Sequence, residues 1–474
     1  MIPPEFQAVV MAGGKGSRMT ELTACKLKCL LPICNHPMIW YPLQMLERFG
    51  FRDAIIISQE SARVELQNIL DRYKFNIQCE VVGVPNDEDW GTADSLRHIH
   101  DKIKRDIIVV SCDLVTNIIP MKAVNIFRKY DASLVGVFFP SLSEVASTPG
   151  PKAKHRPERD LVGVDPATSR LVFLASASDF EDSVQFPRAM LKKHQRLSLY
   201  SRLVDSHLYI LRKWVVDFLA HERTISTIKG ELLPYVVKKQ LSKRLNLMSD
   251  QTAISERAGE DESIVNSSCN KKDIFQFAQE DDETLRIRQM SVWNDHSNDV
   301  SPAFHGDSIR CYADLVPETT DNKDSSKKPF GIRANTLANY CAINQMVLRE
   351  WKEITGGKDL PRISSTSVVK STQVDEHCMI GDDTKVSEKT SLKACVIGSR
   401  CVIEEKVRLA NCIVMDGVHI HSGSSLQGCV ICDDADIGNN SDLKECLVGS
   451  GHQVRAGAKH SNEVLTDVDR LMEI

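Results

Sequence analysis

The sequence predicts an α/β domain built on a mainly parallel sheet, followed by a parallel β-helix of hexapeptide repeats. Short β-rich runs alternate with helical patterns from residue 6 to about residue 140, and a regular repeat occupies the C-terminal part. Such alternation is typical of a parallel sheet with helices on both faces, and short strands recurring at a fixed spacing are typical of a β-helix. We therefore expect domains at residues 1–350 and 360–460, with a C-terminal tail at 461–474.

Five apolar runs predict the first strands, at residues 6–12, 54–58, 79–85, 106–113 and 132–139. Helical patterns between them include residues 38–50 and 92–103. In a sheet of this kind the functional groups lie at the carboxyl ends of the strands. The loops that follow the strands are therefore the place to look for a site.

The rest of the first domain is less regular. A basic, proline-broken stretch at 149–160 predicts a surface loop. Residues 249–300 are acidic and polar with little periodicity, which predicts a mobile insertion. A polar loop is expected at 317–328, and residues 330–351 follow the pattern of a loop that leads into a helix.

The repeat becomes visible when residues 17 apart are aligned. One column holds Leu392, Leu409, Leu426 and Leu443, and another holds Cys378, Cys395, Cys412, Cys429 and Cys446. Given the first cysteine and 15 cysteines in 474 residues, four more in register by chance is about a one-in-a-million event. Steps of six, six and five residues make one triangular coil.

Period-2 alternation assigns directions to the side chains of these short strands. Each aligned cysteine lies two residues before an aliphatic position that faces the core, so the thiols are expected to point inward. A single file of thiols cannot surround a metal tetrahedrally, so we interpret the column as core packing rather than a metal or redox site. His419 and His421 flank the inward Ile420 and are expected to point outward as a solvated pair rather than as a catalytic base.

Composition excludes several classes of function. A formal net charge of -5 and a pI near 6.3 provide no basic field for direct nucleic-acid binding. No stretch approaches the roughly 18 apolar residues of a membrane span, and the N-terminus has no signal pattern. The 15 cysteines are scattered and offer no four-ligand zinc motif, so we expect reduced thiols and a cytosolic protein without nucleic-acid or membrane partners.

The first strand leads into a loop that is suited to an anion. Gly13, Gly14 and Gly16 lack Cβ atoms, so backbone N–H groups can approach a phosphate, and Arg18 and Lys28 can neutralise its charge. A glycine-rich turn is a weak signal alone. The longer run "GGKGSRMTELTACKLKCLLP" resembles the loop of the sugar-phosphate nucleotidyltransferase (nucleotide-sugar pyrophosphorylase) family.

Two further segments resemble that family. "WGTADSLRH" resembles its base-binding segment, which implies a base contact for Gly91 and Thr92, and "VVSCDLVT" places Asp113 where the family binds magnesium. In the segment "IRANTLANY", however, Arg333 stands where the family has a second metal-binding aspartate, and the sugar-phosphate lysine is missing. The resemblance therefore implies an eroded site, with no catalytic residues, no bound metal and no cofactor, in which the residues of the loop are vestigial nucleotide contacts.

The whole chain apart from the insertion resembles the gamma subunits of translation initiation factor 2B, through "EFQAVVMAGGKGSRM", "VDSHLYIL", "ELLPYVVKKQ" and "RLMEI" among other segments. This resemblance implies a left-handed β-helix and a non-catalytic subunit of the guanine nucleotide exchange factor for initiation factor 2. Its partners would be the epsilon subunit, with which it forms the catalytic lobe, the remaining subunits, and initiation factor 2 as substrate. The chain reaches Ile474 without the exchange domain that epsilon carries, so we expect no efficient exchange by this chain alone.

Two other functions remain open. An active nucleotide-sugar pyrophosphorylase, for instance one that makes GDP-mannose, would need another carboxylate in place of the one lost at Arg333. An acyltransferase built on the β-helix would need a histidine within a cleft between coils or subunits. Pyrophosphate release and acyl-coenzyme A binding, respectively, would reveal them.

Overall fold

The computed structural model describes residues 5–73, 75–85, 90–141, 148–151, 160–176, 179–180, 183–194, 196–242, 273–278, 307–317, 329–358 and 360–466. The predicted insertion at 249–300 lies outside these residues except for a short helix, and the polar loop at 317–328 lies outside them except for residue 317. No helix in these ranges is long and apolar enough to cross a membrane.

A nine-stranded sheet forms the centre of the first domain. Its strands are β1 (Phe6–Met11), β4 (Asp53–Gln59), β5 (Gln78–Val84), β6 (Asp106–Ser111), β8 (Leu134–Pro140), β9 (Asp160–Asp165), β10 (Arg170–Ser176), β11 (Ser198–Leu211) and β12 (Cys311–Leu315). The spatial order is β5-β4-β1-β6-β11-β8-β12-β10-β9. The first four strands in this order are parallel to one another. The next strand, β11, is antiparallel to β6 and to β8, between which it lies. The predicted α/β class is confirmed, and parallel pairing is concentrated in the half of the sheet that carries the glycine-rich loop.

Helices lie on both faces of this sheet and at its side, next to the β-helix. They are α1 (Thr20–Thr23), α2 (Trp40–Phe49), α3 (Arg63–Arg72), α4 (Thr92–His98), α5 (Met121–Lys129), α6 (Arg188–Lys193), α7 (Lys213–His221), α8 (Leu233–Lys239), α9 (Ile274–Phe277), α10 (Leu337–Arg349) and α11 (Trp351–Ile354). Alternate side chains of β1 enter different cores, with Val10 among residues from α2 and α5 and Val9 among residues from α4 and α7. This alternation explains why the strand is apolar from Ala8 to Met11.

Two small pairings lie beside the main sheet. Strands β2 (Pro32–Ile33) and β3 (His36–Pro37) form a short hairpin after the glycine-rich loop. Strands β7 (Leu114–Thr116) and β13 (Gly331–Arg333) pair antiparallel, with Leu114 opposite Arg333. The second pairing brings together two segments that are distant from each other in the sequence.

The second domain is a triangular stack of short parallel strands. The first face contains β14 (Val368–Val369), β17 (Lys385–Val386), β20 (Val402–Ile403), β23 (His419–Ile420), β26 (Asp436–Ile437) and β29 (Gln453–Val454). The second contains β15 (Gln373–Val374), β18 (Ser391–Lys393), β21 (Arg408–Ala410), β24 (Ser425–Gln427), β27 (Asp442–Lys444) and β30 (Lys459–Ser461). The third contains β16 (Met379–Ile380), β19 (Val396–Ile397), β22 (Ile413–Val414), β25 (Val430–Ile431), β28 (Leu447–Val448) and β31 (Val464–Leu465).

The repeat predicted from the sequence is confirmed strand by strand. Each strand of a face pairs with the strand of the next coil at equivalent positions, as Ile403 does with Ile420, and the five aligned cysteines are all at most 1% exposed. Within the described coils the thiols lie in the same core as the aliphatic columns, as expected for small apolar side chains. The stack runs through Leu465, beyond the expected boundary at residue 460, and residues 467–474 of the predicted tail lie outside the described part.

The two domains share a hydrophobic core. On the third face of the β-helix the outward residues are apolar and buried, namely Met379, Val396, Ile413, Val430 and Leu447. They belong to one cluster with Ile343 and Val347 of α10 and with Trp351 of α11. Lys26 adds an ion pair to Asp433, with Nζ 2.9 Å from Oδ2. This junction places the β-helix against the side of the first domain from which the glycine-rich loop leaves.

Candidate functional site

The glycine-rich loop follows β1 and turns sharply at one residue. Gly16 has a φ of +76°, and a Cβ there would lie 2.6 Å from Cγ2 of Thr23, so both conformation and space favour glycine. Beside Gly13 and Gly14 there is open space within 4 Å of where a Cβ would be. The geometry of the loop itself therefore explains why residue 16 is a glycine, whereas Gly13 and Gly14 leave room for an approaching group.

Asp113 lies just beyond the end of β6 and is completely buried. The backbone N–H of Ala334 donates to the Asp113 carbonyl at 2.9 Å, which continues the pairing of β7 with β13. The pairing brings Arg333 to the aspartate across the floor of the site. Chain topology therefore puts an arginine at the position where the sequence comparison expected a second carboxylate.

The Asp113 carboxylate is held by two basic side chains. Nε and Nη2 of Arg333 donate to Oδ1 and Oδ2 at 3.0 and 3.1 Å, and Lys28 Nζ donates to Oδ2 at 2.5 Å. Burial alone would raise the pKa of Asp113, but Arg333 and Lys28 hold it well below its usual value. The carboxylate is therefore ionised, and its charge is more than balanced by its two partners.

These residues do not fit a magnesium ion. Magnesium sites in proteins use carboxylate and water oxygens, and here one carboxylate is shared by a guanidinium and an ammonium group. The bidentate contact of Arg333 uses both oxygens that a metal would need. The arrangement can hold an anion above the two cations, but it does not provide a metal centre.

A cleft of about 500 Å³ opens above this cluster. It is lined by Gly14, Lys15, Gly16, Ser17, Arg18, Lys28, Asp160, Leu174, Ala175, Ser176, Asp179, His207, Lys229, Gly230, Pro234, Arg333 and Asn335. Five of these residues are basic and two are acidic, and Lys229 pairs with Asp160 at 3.0 Å. The balance of charge favours an anionic ligand. Of the candidate residues, the structure brings Gly14, Gly16, Arg18 and Lys28 to one cleft, with Asp113 beneath it.

Gly91 and Thr92 are placed differently. They begin α4, where the Ala93 N–H donates to the Ser226 carbonyl at 2.8 Å and the Thr92 hydroxyl oxygen accepts from the Ile228 N–H at 2.9 Å. A Cβ on Gly91 would lie 2.1 Å from that same Ser226 oxygen. The segment around Ser226 thus occupies the start of the helix, and neither candidate lines the cleft.

His207 is a cleft residue that the sequence analysis did not identify. It adopts a φ of 52° at an irregularity in β11, with its N–H donating to Asp205 Oδ1 at 2.8 Å. Its buried Nε2 atom has no hydrogen-bond partner within the described part of the chain, and burial, with Arg333 nearby, holds the pKa of His207 well below its usual value. The cleft floor therefore contains a neutral imidazole. Nothing in the sequence pattern distinguishes this histidine from the strand residues around it.

The two histidines of the β-helix considered in the sequence analysis lie on its outer surface. His419 and His421 point outward as predicted, with side chains 39% and 27% exposed, while Ile420 between them is fully buried. Both rings lie against Glu404 of the preceding coil.

Two family models match the chain. The model described as Nucleotidyl transferase matches residues 7–148, and that described as EIF2B subunit epsilon LbH domain matches residues 362–460. The first range carries the glycine-rich loop and Asp113, and the second covers nearly the whole β-helix, which is accordingly left-handed. Arg333 lies between the two matched ranges.

Several curated proteins are also similar to the chain. It is 35% identical over 246 residues to "Translation initiation factor eIF2B subunit gamma" of Schizosaccharomyces pombe, covering 51% of this chain and 53% of that protein. It is 32% identical over 242 residues to the protein of the same name in Caenorhabditis elegans, covering 50% and 59%. It is 24% identical over 417 residues to the Dictyostelium discoideum protein of that name, covering 83% and 87%. The chain thus spans little more than half the length of the first two relatives and most of the third.

Proposed function

We propose that this chain, a relative of the eIF2B gamma subunits, is a non-catalytic subunit of the guanine nucleotide exchange factor for translation initiation factor 2. In this proposal it works in the cytosol, forms the catalytic lobe with an epsilon subunit and helps to dock initiation factor 2 so that GDP is replaced by GTP. The relatives' names support membership of an initiation-factor assembly. The epsilon partner and the docking role are part of the proposal.

The observation that carries the non-catalytic assignment is the Asp113 cluster. A magnesium ion bound to Asp113 would lie about 5 Å from the Arg333 guanidinium, and at an effective dielectric constant of 20 their repulsion is about 6 to 7 kcal/mol. Lys28 adds to this cost. Nucleotidyl transfer that depends on two carboxylates and a metal is therefore disfavoured, and the domain is better suited to binding than to bond making.

The architecture supports a role in assembly. The β-helix and the first domain share a core, so surfaces on both are held in fixed relation to each other. A subunit of this kind orients its partners, and orientation alone lowers the entropic cost of a reaction that another subunit performs.

The test is purification of the tagged full chain from its own cells, followed by native mass measurement and identification of the bound proteins. We expect a heteromeric complex of several subunits that includes a larger homologue and initiation factor 2. The same tag on an unrelated protein is the control. Recovery of a homo-oligomer without initiation-factor proteins would contradict the proposal.

An active pyrophosphorylase is the second candidate, and the basic cleft is the observation that favours it. The assay is pyrophosphate release from GTP and mannose 1-phosphate with Mg²⁺, using the full chain and the Asp113→Asn variant. We expect no release above background from either protein. Turnover by the natural chain that Asp113→Asn abolishes would favour the enzyme over the non-catalytic subunit.

A further inference from the structure

Three side chains with metal-binding atoms converge on the first face of the β-helix. Glu404 Oε1 lies 3.2 Å from Nε2 of His419 and 3.1 Å from Nδ1 of His421. The three ligand atoms lie within 4.8 Å of one another. Among the described residues this is the one group of three histidine, cysteine, aspartate or glutamate side chains close enough to share an ion.

Two of the three distances between ligand atoms match those of a tetrahedral site. With metal–ligand bonds of about 2.0 to 2.1 Å, tetrahedral ligand atoms lie about 3.3 to 3.4 Å apart. Both distances to the Glu404 oxygen are close to this value. The ligand atoms of the two histidines lie within 4.8 Å of each other, so binding one ion needs side-chain rotations that close this third distance.

Neighbouring groups hold one of these ligands, Glu404, and place a further carboxylate beside another, His421. The second carboxylate oxygen of Glu404 accepts from the Ser422 N–H at 3.0 Å and from its hydroxyl at 2.8 Å. These hydrogen bonds lower the pKa of Glu404 to about 2, so the carboxylate is ionised at neutral pH. On the far side of His421, Nε2 lies 3.0 Å from Oδ1 of Asp436. This contact is an ion-pair distance without the geometry of a hydrogen bond, so it adds negative charge beside the site but does not orient the ring.

The backbone under the cluster is held by the repeat. Glu404 N–H donates to the Ile420 carbonyl and His421 N–H to the Ile437 carbonyl, each at 3.0 Å. Glu404 and His421 occupy equivalent positions in successive coils, as do His419 and Asp436, so the three ligands come from two successive coils and Asp436 from the next. The ligand side chains are between 27% and 39% exposed, which leaves a side open for water as a fourth ligand.

We propose that Glu404, His419 and His421 form a binding site for a divalent transition metal, with Zn²⁺ as the expected ion. Two imidazoles and one carboxylate are a donor set that zinc accepts, with a water completing the tetrahedron. The bound ion links neighbouring coils of the β-helix. It is separate from the Asp113 cluster and does not depend on the function proposed above.

The test is titration of the full chain with Zn²⁺ at pH 7.5, after accessible thiols have been alkylated with N-ethylmaleimide. Alkylation matters because Cys25 is exposed. We expect one equivalent of zinc to bind, with affinity reduced at least tenfold in His421→Ala and in Glu404→Gln. His377→Ala is the matched control, because His377 also lies beside a glutamate on the β-helix but outside the cluster, and it should bind as the natural chain does.

Two further measurements identify the ligands and show whether a loss of binding is caused by a loss of folding. Zinc X-ray absorption should show a shell of nitrogen and oxygen ligands without sulfur, and circular dichroism should show each variant folded. If His421→Ala fails to fold, Glu404→Gln decides, since it keeps the shape of the side chain. Binding that persists in the folded variants, a sulfur shell, or no binding by the natural chain would each overturn the proposal.

Discussion

A single residue, Asp113, shows how a metal position can become a structural one. It is fully buried, and two cationic side chains, those of Arg333 and Lys28, stabilise its ionised carboxylate. Removing one member of a buried ion group leaves an uncompensated charge, whereas removing opposite charges together costs less. The chemistry of the site and the stability of the domain are therefore connected at this position.

Replacing Asp113 by asparagine should destabilise the chain by about 3 to 5 kcal/mol, because it leaves the buried cations of Arg333 and Lys28 without the carboxylate that they share. The double variant Asp113→Asn with Arg333→Met should be more stable than Asp113→Asn by itself, because it removes one of the two uncompensated cations. Urea unfolding measures both, and Arg349→Met, at an exposed position, should change stability by at most about 0.5 kcal/mol. Additive losses at the two positions would contradict this coupling.

His36 gives the protein a predictable response to acid. Its ring packs against both Trp40 and Trp351, with centroids 4.5 and 5.3 Å away, and its buried Nδ1 has no hydrogen-bond partner among the described residues. Burial lowers the pKa of His36 to about 4. The unfolded chain binds this proton near pH 6.5, so acidification below that value favours unfolding.

From pH 7 to pH 5, His36 should contribute a loss of about 2 kcal/mol in the free energy of unfolding. The His36→Phe variant keeps an aromatic ring against both tryptophans and should lose that part of the pH dependence. Denaturant unfolding at both pH values, at constant ionic strength, provides the comparison. Equal slopes for the natural chain and the variant would show that His36 does not titrate in this way.

At the scale of elements, α10 connects the candidate site to the β-helix. It starts after Thr336, whose hydroxyl oxygen accepts from the Asn339 N–H at 3.2 Å, and its buried face packs on the third face of the stack. Thr336→Ala should cost about 1 kcal/mol through loss of this cap, while Thr336→Ser should be nearly neutral. Thermal unfolding checks the pair, and equal effects of the two substitutions would rule out the cap as the cause.

Local patterns predicted much of the fold and some of the site. The coils were predictable because Cys412 and Cys429 recur with their neighbours once in each coil, and Arg333 was identified by its place in a motif. The Ser226 carbonyl at the start of α4 was not predictable, since the contact joins segments that are distant from each other in the sequence. The domain junction left a signal that could have been used, because outward positions such as Ile413 and Val430 are apolar in every coil from Met379 to Leu447.

At the scale of the whole molecule, the shared core should make the two domains unfold together. Ile413→Ala removes packing at the junction and should cost about 2 to 4 kcal/mol. The unfolding transition of this variant should fall at the same denaturant concentration in tryptophan fluorescence and in the circular dichroism of the β-sheet. The fluorescence reports on the part of the chain before the β-helix, because all five tryptophans lie at or before Trp351. Ile420→Ala, in the interior of the stack, is the control for a cavity away from the junction. Two separated transitions in the natural chain would contradict a shared unit.

The order of strands in the large sheet also determines the order of events during synthesis. Pairing of Cys311–Leu315 with Leu134–Pro140 joins segments far apart in the sequence, whereas each coil of the β-helix pairs with the coil that follows it directly. Contacts of high sequence separation form slowly, because a long loop must close first. On the ribosome, the strands β1, β4, β5 and β6 emerge early, but β8 waits for a neighbour that is translated much later. The edge of an unfinished sheet is therefore exposed during synthesis, and the first domain should need protection by chaperones at that stage. The coils of the β-helix are made last and should pair rapidly, because each coil pairs with the next one in the sequence.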